Sequence, residues 1–177
     1  MRIRSTIFAL GAAWAASQEP AWAIAGCDAF SNALRAEASD MQVEFGRAVV
    51  VSRTRSESNA FDITTKVDVD ATLSCRGDQF VRFEARIGEP ANARTTTNFE
   101  RFQAAALKAA LGWDAAKSRG VLHGMSTDAG EYLTASRERG DVYVAGKTEE
   151  HVPGGVSLGL MASGSDRTFV IVGPAGQ

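Results

Sequence analysis

The chain has 177 residues, 45% of them apolar and 23% charged, with 19 cations set against 21 acids. That balance excludes disordered and fibrous classes and leaves no strong electrostatic field for nucleic acid. One folded domain behind a short leader is the expectation from this length.

Met1, Arg2, Ile3 and Arg4 form a cationic start. An uncharged apolar core follows from Thr6 to Ala16, and Ala21-Trp22-Ala23 places small residues where signal peptidase requires them. Residues 1–23 are therefore read as a cleaved secretory signal peptide, cut after Ala23, and residues 24–177 as a single α+β domain. An apolar run eleven residues long falls short of the roughly 20 that span a bilayer, so no transmembrane segment is expected in the mature chain. Cleavage removes Arg2, Arg4 and Glu19, leaving 17 cations and 20 acids, a net charge of −3. The rival reading is a lipid anchor. Ile24-Ala25-Gly26-Cys27 resembles the box that precedes a lipidated cysteine, yet that box normally abuts the apolar core, and here Ser17-Gln18-Glu19-Pro20 intervenes. Export is preferred, with a periplasmic or secreted location.

Phe30, Leu34 and Ala38 recur at helical spacing from Cys27, which predicts a helix over Cys27 to Ala38 with the Cys27 thiol on its buried stripe. Alternation of Met41, Val43, Phe45, Val49 and Val51 predicts a strand over 41–51. A second strand is predicted from Phe61 to Cys75, with Phe61, Ile63, Val67, Val69, Ala71 and Leu73 in phase with Cys75 and only Thr65 out of pattern. Two inward thiols in an exported protein predict a Cys27–Cys75 disulfide. Such a bridge constrains the unfolded chain by roughly 4 kcal/mol in the loop-entropy account. The pair lacks the Cys-x-x-Cys spacing of redox sites, and two ligands alone do not make a zinc site.

Gly77-Asp78 predicts a tight turn into a strand over Gln79 to Ile87, whose Val81, Phe83, Ala85 and Ile87 alternate. The outward faces of these strands carry Asp62, Lys66, Asp68, Asp70, Arg82, Glu84 and Arg86, a mixed-charge solvated surface. Asp68 and Asp70 lack the glycine-turned loop of a calcium site. Pro90 to Arg94 reads as a loop, and Thr97-Asn98-Phe99-Glu100 as a capping box opening a helix that Gly112 ends. Phe99, Phe102, Ala106, Ala109 and Trp113 form its stripe, widened by Leu107 and Leu111. A further helix is predicted over Val121 to Arg137 from Leu122, Met125, Ala129, Tyr132, Leu133 and Ser136. Val142 to Lys147, Val156 to Ala162 and Phe169 to Val172 complete the pattern as strands. The expected fold is α+β: an antiparallel sheet of about six strands in α-βββ-α(α)-βββ order, with the helices on one face.

Gly155-Val156-Ser157-Leu158-Gly159 matches the nucleophile-elbow pattern, but Val156, Leu158 and Leu160 alternate as a strand and no histidine follows. His123 falls among helical residues, where a structural role is expected. Glu149 and His151 share one face of an extended segment and form the one acid-base pair the sequence offers. The Arg-Gly-Asp triplets at 76–78 and 139–141 suit turns. No catalytic constellation, cofactor motif or metal-ligand spacing is present. The leading expectation is an exported, non-enzymatic binding or accessory module for another envelope component. The alternative is a carrier of a small molecule or lipid in an apolar cavity walled by Phe99, Phe102 and Trp113. A hydrolase using His151 and Glu149 comes third.

Overall fold

The computed structural model describes residues 26–43, 45–51, 58–65, 69–88, 92–141, 146–163 and 166–174. The signal segment, with its cleavage point after Ala23, lies outside the described residues. Helix α1 (Cys27–Asp40) precedes a meander of β1 (Phe45–Val51), β2 (Ser58–Thr65), β3 (Asp70–Arg76) and β4 (Gln79–Ile87). Helices α2 (Ala93–Leu111) and α3 (Ala115–Arg139) lead to a second meander of β5 (Gly146–Val152), β6 (Val156–Ser163) and β7 (Asp166–Val172). All seven strands form one antiparallel sheet in the order β1-β2-β3-β4-β7-β6-β5. The two meanders join where β4 pairs with β7.

Four expectations need correction. The single strand over Phe61 to Cys75 is two, β2 and β3, so the order is α-ββββ-αα-βββ. The register pairs Ile63 with Ala71 and Thr64 with Asp70. Opposed residues in an antiparallel pair share a face. Here every pair has equal parity, so the inward alternation passes through the hairpin unbroken and conceals it. In β1 the register shifts between Phe45 and Ala48, which places Ala48, not Val49, opposite the buried Ile63. The capping box at Thr97 does not open α2. That helix starts five residues earlier at Asn92, whose Oδ1 accepts from the backbone N–H groups of Arg94 and Thr95, both at 3.0 Å. Tyr132 belongs to the exposed side of α3, at 52% exposure, while Ser118, Leu122, Met125, Ala129, Leu133 and Ser136 are buried. The expected strand start at Val142 lies outside the described residues.

The inner face of the sheet is read directly from register and burial. Phe83, Ile171 and Leu158 lie in one cross-strand row, and Ala85, Phe169 and Leu160 in the next, all buried. All three helices cover this face. Helix α2 is the middle one, buried on nearly every side because α1 and α3 flank it; its alanines 104, 105, 106 and 110 permit that close approach. Between α1 and α2, Lys108 Nζ stands 2.6 Å from Glu37 Oε2, a contact that raises the lysine above its ordinary pKa. Among the described residues, no helix is long and apolar enough to cross a membrane.

Cys27, the first residue of α1, is bridged to Cys75 of β3. The Cys27 N–H also donates to Asp78 O in the β3–β4 turn at 2.8 Å. Gly26 precedes it at φ 155°, where a Cβ would stand 2.9 Å from Asp78 Oδ2, so the entry to α1 is fitted against that turn. One turn along, Phe30 packs edge-on to Phe80 and against Phe83, with ring centroids 4.8 and 5.4 Å away. A sulfur held in a disulfide cannot also carry a thioether lipid, so this structure is that of the bridged rather than the lipidated chain.

At the opposite side of the helical layer, α3 lies directly against β5. A Cβ at Gly146 would overlap the Ala129 carbonyl oxygen and crowd its carbon at 2.8 Å. Replacing both Cys27 and Cys75 by serine should lower stability by about 2–4 kcal/mol in denaturant titration, and reduction of the native protein should match it. Gly146→Ala should cost about 3 kcal/mol or more by the same measurement, because backbone rather than a pliable side chain opposes the new methyl.

Candidate functional site

The outer face of the sheet carries Arg82, Glu84 and Arg86 of β4, which the sequence placed outward, together with Glu149 and His151 of β5, which the sequence placed on one face. Three cross-strand rows organise it. Arg82, Val172, Ser157 and His151 form the first; Glu84, Val170, Gly159 and Glu149 the second; Arg86, Thr168, Met161 and Lys147 the third. Strands β7 and β6 thus make a floor of small and apolar side chains. β4 and β5 make two walls of long charged ones, with the signs running positive, negative, positive on β4. On β5 the order is histidine, negative, positive. The resulting trough has a volume of about 430 Å³. Met161 is 44% exposed within it, a large apolar side chain open to solvent between the charged walls.

Local ion pairs hold the walls upright. Arg82 bonds to Glu84 Oε2 at 2.6 Å through NH2 and 3.2 Å through Nε, and Lys147 Nζ lies 3.5 Å from Glu149 Oε2. Arg86 reaches across to Asp166 at 2.9 Å. These pairs are solvent-exposed, so each contributes little net energy and its members are free to exchange partners.

At one end of the trough, His151 Nδ1 and Ser157 Oγ stand 2.8 Å apart across the β5–β6 ladder. The sequence singled out both residues separately and did not pair them; the signal that joins them is the Pro153-Gly154-Gly155 turn, which fixes the register bringing 151 opposite 157. A serine beside an imidazole is the beginning of a nucleophile and its base. The remaining parts are not assembled. Among the described residues Glu149 makes no hydrogen bond to His151, being paired with Lys147 one row away. Ser157 lies within strand β6, away from any strand-to-helix turn or helix N-terminus that would supply oxyanion donors. The pair reads as a cross-strand bond closing one end of the trough.

The other candidates separate cleanly. His123 is exposed on α3, in the helical layer and on the opposite side of the sheet from His151. Arg76-Gly77-Asp78 forms the β3–β4 turn, with Gly77 at φ 59°, whereas at Arg139-Gly140-Asp141 the glycine is the left-handed cap that ends α3. Phe102 is fully buried against Phe83 at 5.7 Å, and Trp113 lies at the end of α2 under Lys117. With Phe99 they belong to the packed core and its margin and do not wall one cavity. Asp68 lies outside the described residues, and among those described no group of three or more His, Cys, Asp or Glu is placed to hold a metal ion.

No family model, curated protein or solved structure matches this chain. Function is therefore argued from the site alone. Arg82→Ala and Arg86→Ala should each change stability by no more than about 0.5 kcal/mol in thermal or denaturant unfolding, which would show these charges to be dispensable for the fold.

Proposed function

We propose that this protein is an exported, non-enzymatic binding module that holds a helical segment of another cell-envelope protein in the trough on the outer face of its sheet. The observation that supports this most is the matching order of charge on the two walls. Arg86 faces Lys147, and Glu84 faces Glu149, across a floor that ends in Met161. An occupant lying along the strands would thus meet each sign from both sides at once.

The dimensions favour a helix. β4 and β5 are three strand spacings apart, about 14 Å, and an α-helix with its side chains measures about 10–12 Å across. Successive rows lie about 6.8 Å apart along the strands, close to the rise of about 6 Å between residues four apart on a helix. An extended peptide would match the row spacing equally well, but laid across a sheet face it would have unpaired backbone groups. A helix satisfies its own backbone. The fitting segment presents an acid, a base and an acid at intervals of four residues, with small apolar residues toward Val170 and Gly159. The signal-peptide reading and the Cys27–Cys75 bridge support an oxidising envelope as the place where the two meet.

Site-specific crosslinking in the native envelope tests this. A photoreactive residue at Met161 should give one discrete adduct, and the double change Arg86→Glu with Lys147→Glu should abolish it while the protein remains folded. The same probe at Tyr132, on the exposed side of α3, serves as control. Identical adducts from both positions, or an adduct indifferent to charge reversal, would sink the proposal.

A further inference from the structure

The strands of the second meander contain two glycines, and only one of them has a structural reason to be there. At Gly146 a Cβ would overlap the Ala129 carbonyl oxygen, so packing against α3 requires the bare position. At Gly159 the fold makes no such requirement. The residue lies within β6, a strand with a neighbour on both sides. A Cβ built there would meet Val170 Cβ at 3.8 Å and Thr148 O at 4.0 Å, ordinary contact distances. Its φ lies outside the positive region that favours glycine. The register runs residue for residue through it, opposite Glu149 on β5 and Val170 on β7, so it serves no bulge either.

Glycine in a strand interior loses more backbone freedom on folding than any other residue and brings no side chain to pack. Where conformation, bulge and crowding give no reason for it, the remaining one is the close approach of something from outside the sheet. The surroundings agree. Gly159 is a floor position in the middle row of the trough, between Val170 and Glu149 across the strands and between Ser157 and Met161 along its own. The absent side chain leaves a four-sided notch, and the Val170 side chain beside it sets the depth.

We infer that Gly159 is the specificity-determining position of the trough: the docked helix lowers one small apolar side chain, up to the size of valine, into this notch as a knob enters a hole. That side chain comes from the stripe beside the charged one, so seating it brings the helix down between Glu84 and Glu149. The inference rests on the reading of the trough as a docking groove and adds to it the point of the floor that decides which helix fits. Charge order alone accepts many helices. A helix with a long or charged side chain at this point is held above the floor, and so is every helix once the notch is filled.

Gly159→Ala and Gly159→Val in the intact protein test this, with Gly124→Ala as control. Gly124 is an exposed glycine of α3 where an added Cβ meets nothing within 4 Å. Gly159→Ala should raise the melting temperature by about 1–4 °C, and Gly124→Ala should do the same. The envelope adduct formed from a photoreactive residue at Met161 should fall about fivefold with Gly159→Ala and about tenfold or more with Gly159→Val, while Gly124→Ala leaves it unchanged. Stability rising while capture falls is an outcome that a merely structural glycine cannot produce. A lower melting temperature for Gly159→Ala overturns the inference, because the fold then needs the glycine. An adduct undiminished in Gly159→Val overturns it and leaves the docking reading standing, whereas no adduct from the protein with Gly159 intact overturns both.

Discussion

The attachment of the first helix to the β3–β4 hairpin is the constraint on which the helical layer depends. Among the described residues helix α1 precedes the first strand, and its first turn lies at the end away from its connection to β1. Three contacts within four residues hold that turn: Gly26 fitted against Asp78, the Cys27 N–H donating to Asp78 O, and the bridge to Cys75. Phe30 then closes over Phe80 and Phe83. Once α1 is fixed there, α2 has a wall to lie against, and Phe102 reaches the same Phe83 ring from the other side. The aromatic chain Phe80, Phe30, Phe83, Phe102 thus runs from the hairpin through two helices.

With all helices committed to one face, the other face of the sheet retains its side chains for use. The covered face takes the bulky residues Phe83, Phe169, Ile171 and Leu158. The open face alternates short floor residues with charged walls. Arg167 departs from this division. It carries a cation into the covered layer at the end of β7, where α2 and α3 leave room above the sheet.

Much of this was legible in the sequence wherever periodicity was unambiguous. Phe30, Leu34 and Ala38 gave α1 its buried stripe, and the two inward cysteines gave the bridge from local patterns alone. Gly112 marked the end of α2 in the left-handed conformation that glycine favours. The failures have physical causes. A hairpin whose register opposes residues of equal parity looks like one long strand, which hid the division between β2 and β3. The start of α2 was misplaced because Asn92 supplies the capping oxygen, so Thr97 is already inside the helix, and Thr95 ahead of it is buried. The candidate site eluded one-dimensional reading. The trough exists only once β4 and β5, distant in sequence, become walls on either side of β7 and β6.

The joining of β4 to β7 bears on how the chain reaches this state. Of the six ladders described, five connect strands that follow one another in sequence and need only short loops to close. The sixth brings Arg82 opposite Val172, across the whole of α2 and α3. The entropic cost of long-range closure is concentrated in this one seam. Each meander is built from short-range ladders, and the two helices between them pack on strands of both, α2 on β4 and α3 on β5 and β6. The trough straddles that junction, with Arg82 and Arg86 on one side of it and Val172 and Thr168 on the other. The trough needs both halves of the sheet, so its two walls stand opposite each other only where β4 is paired with β7.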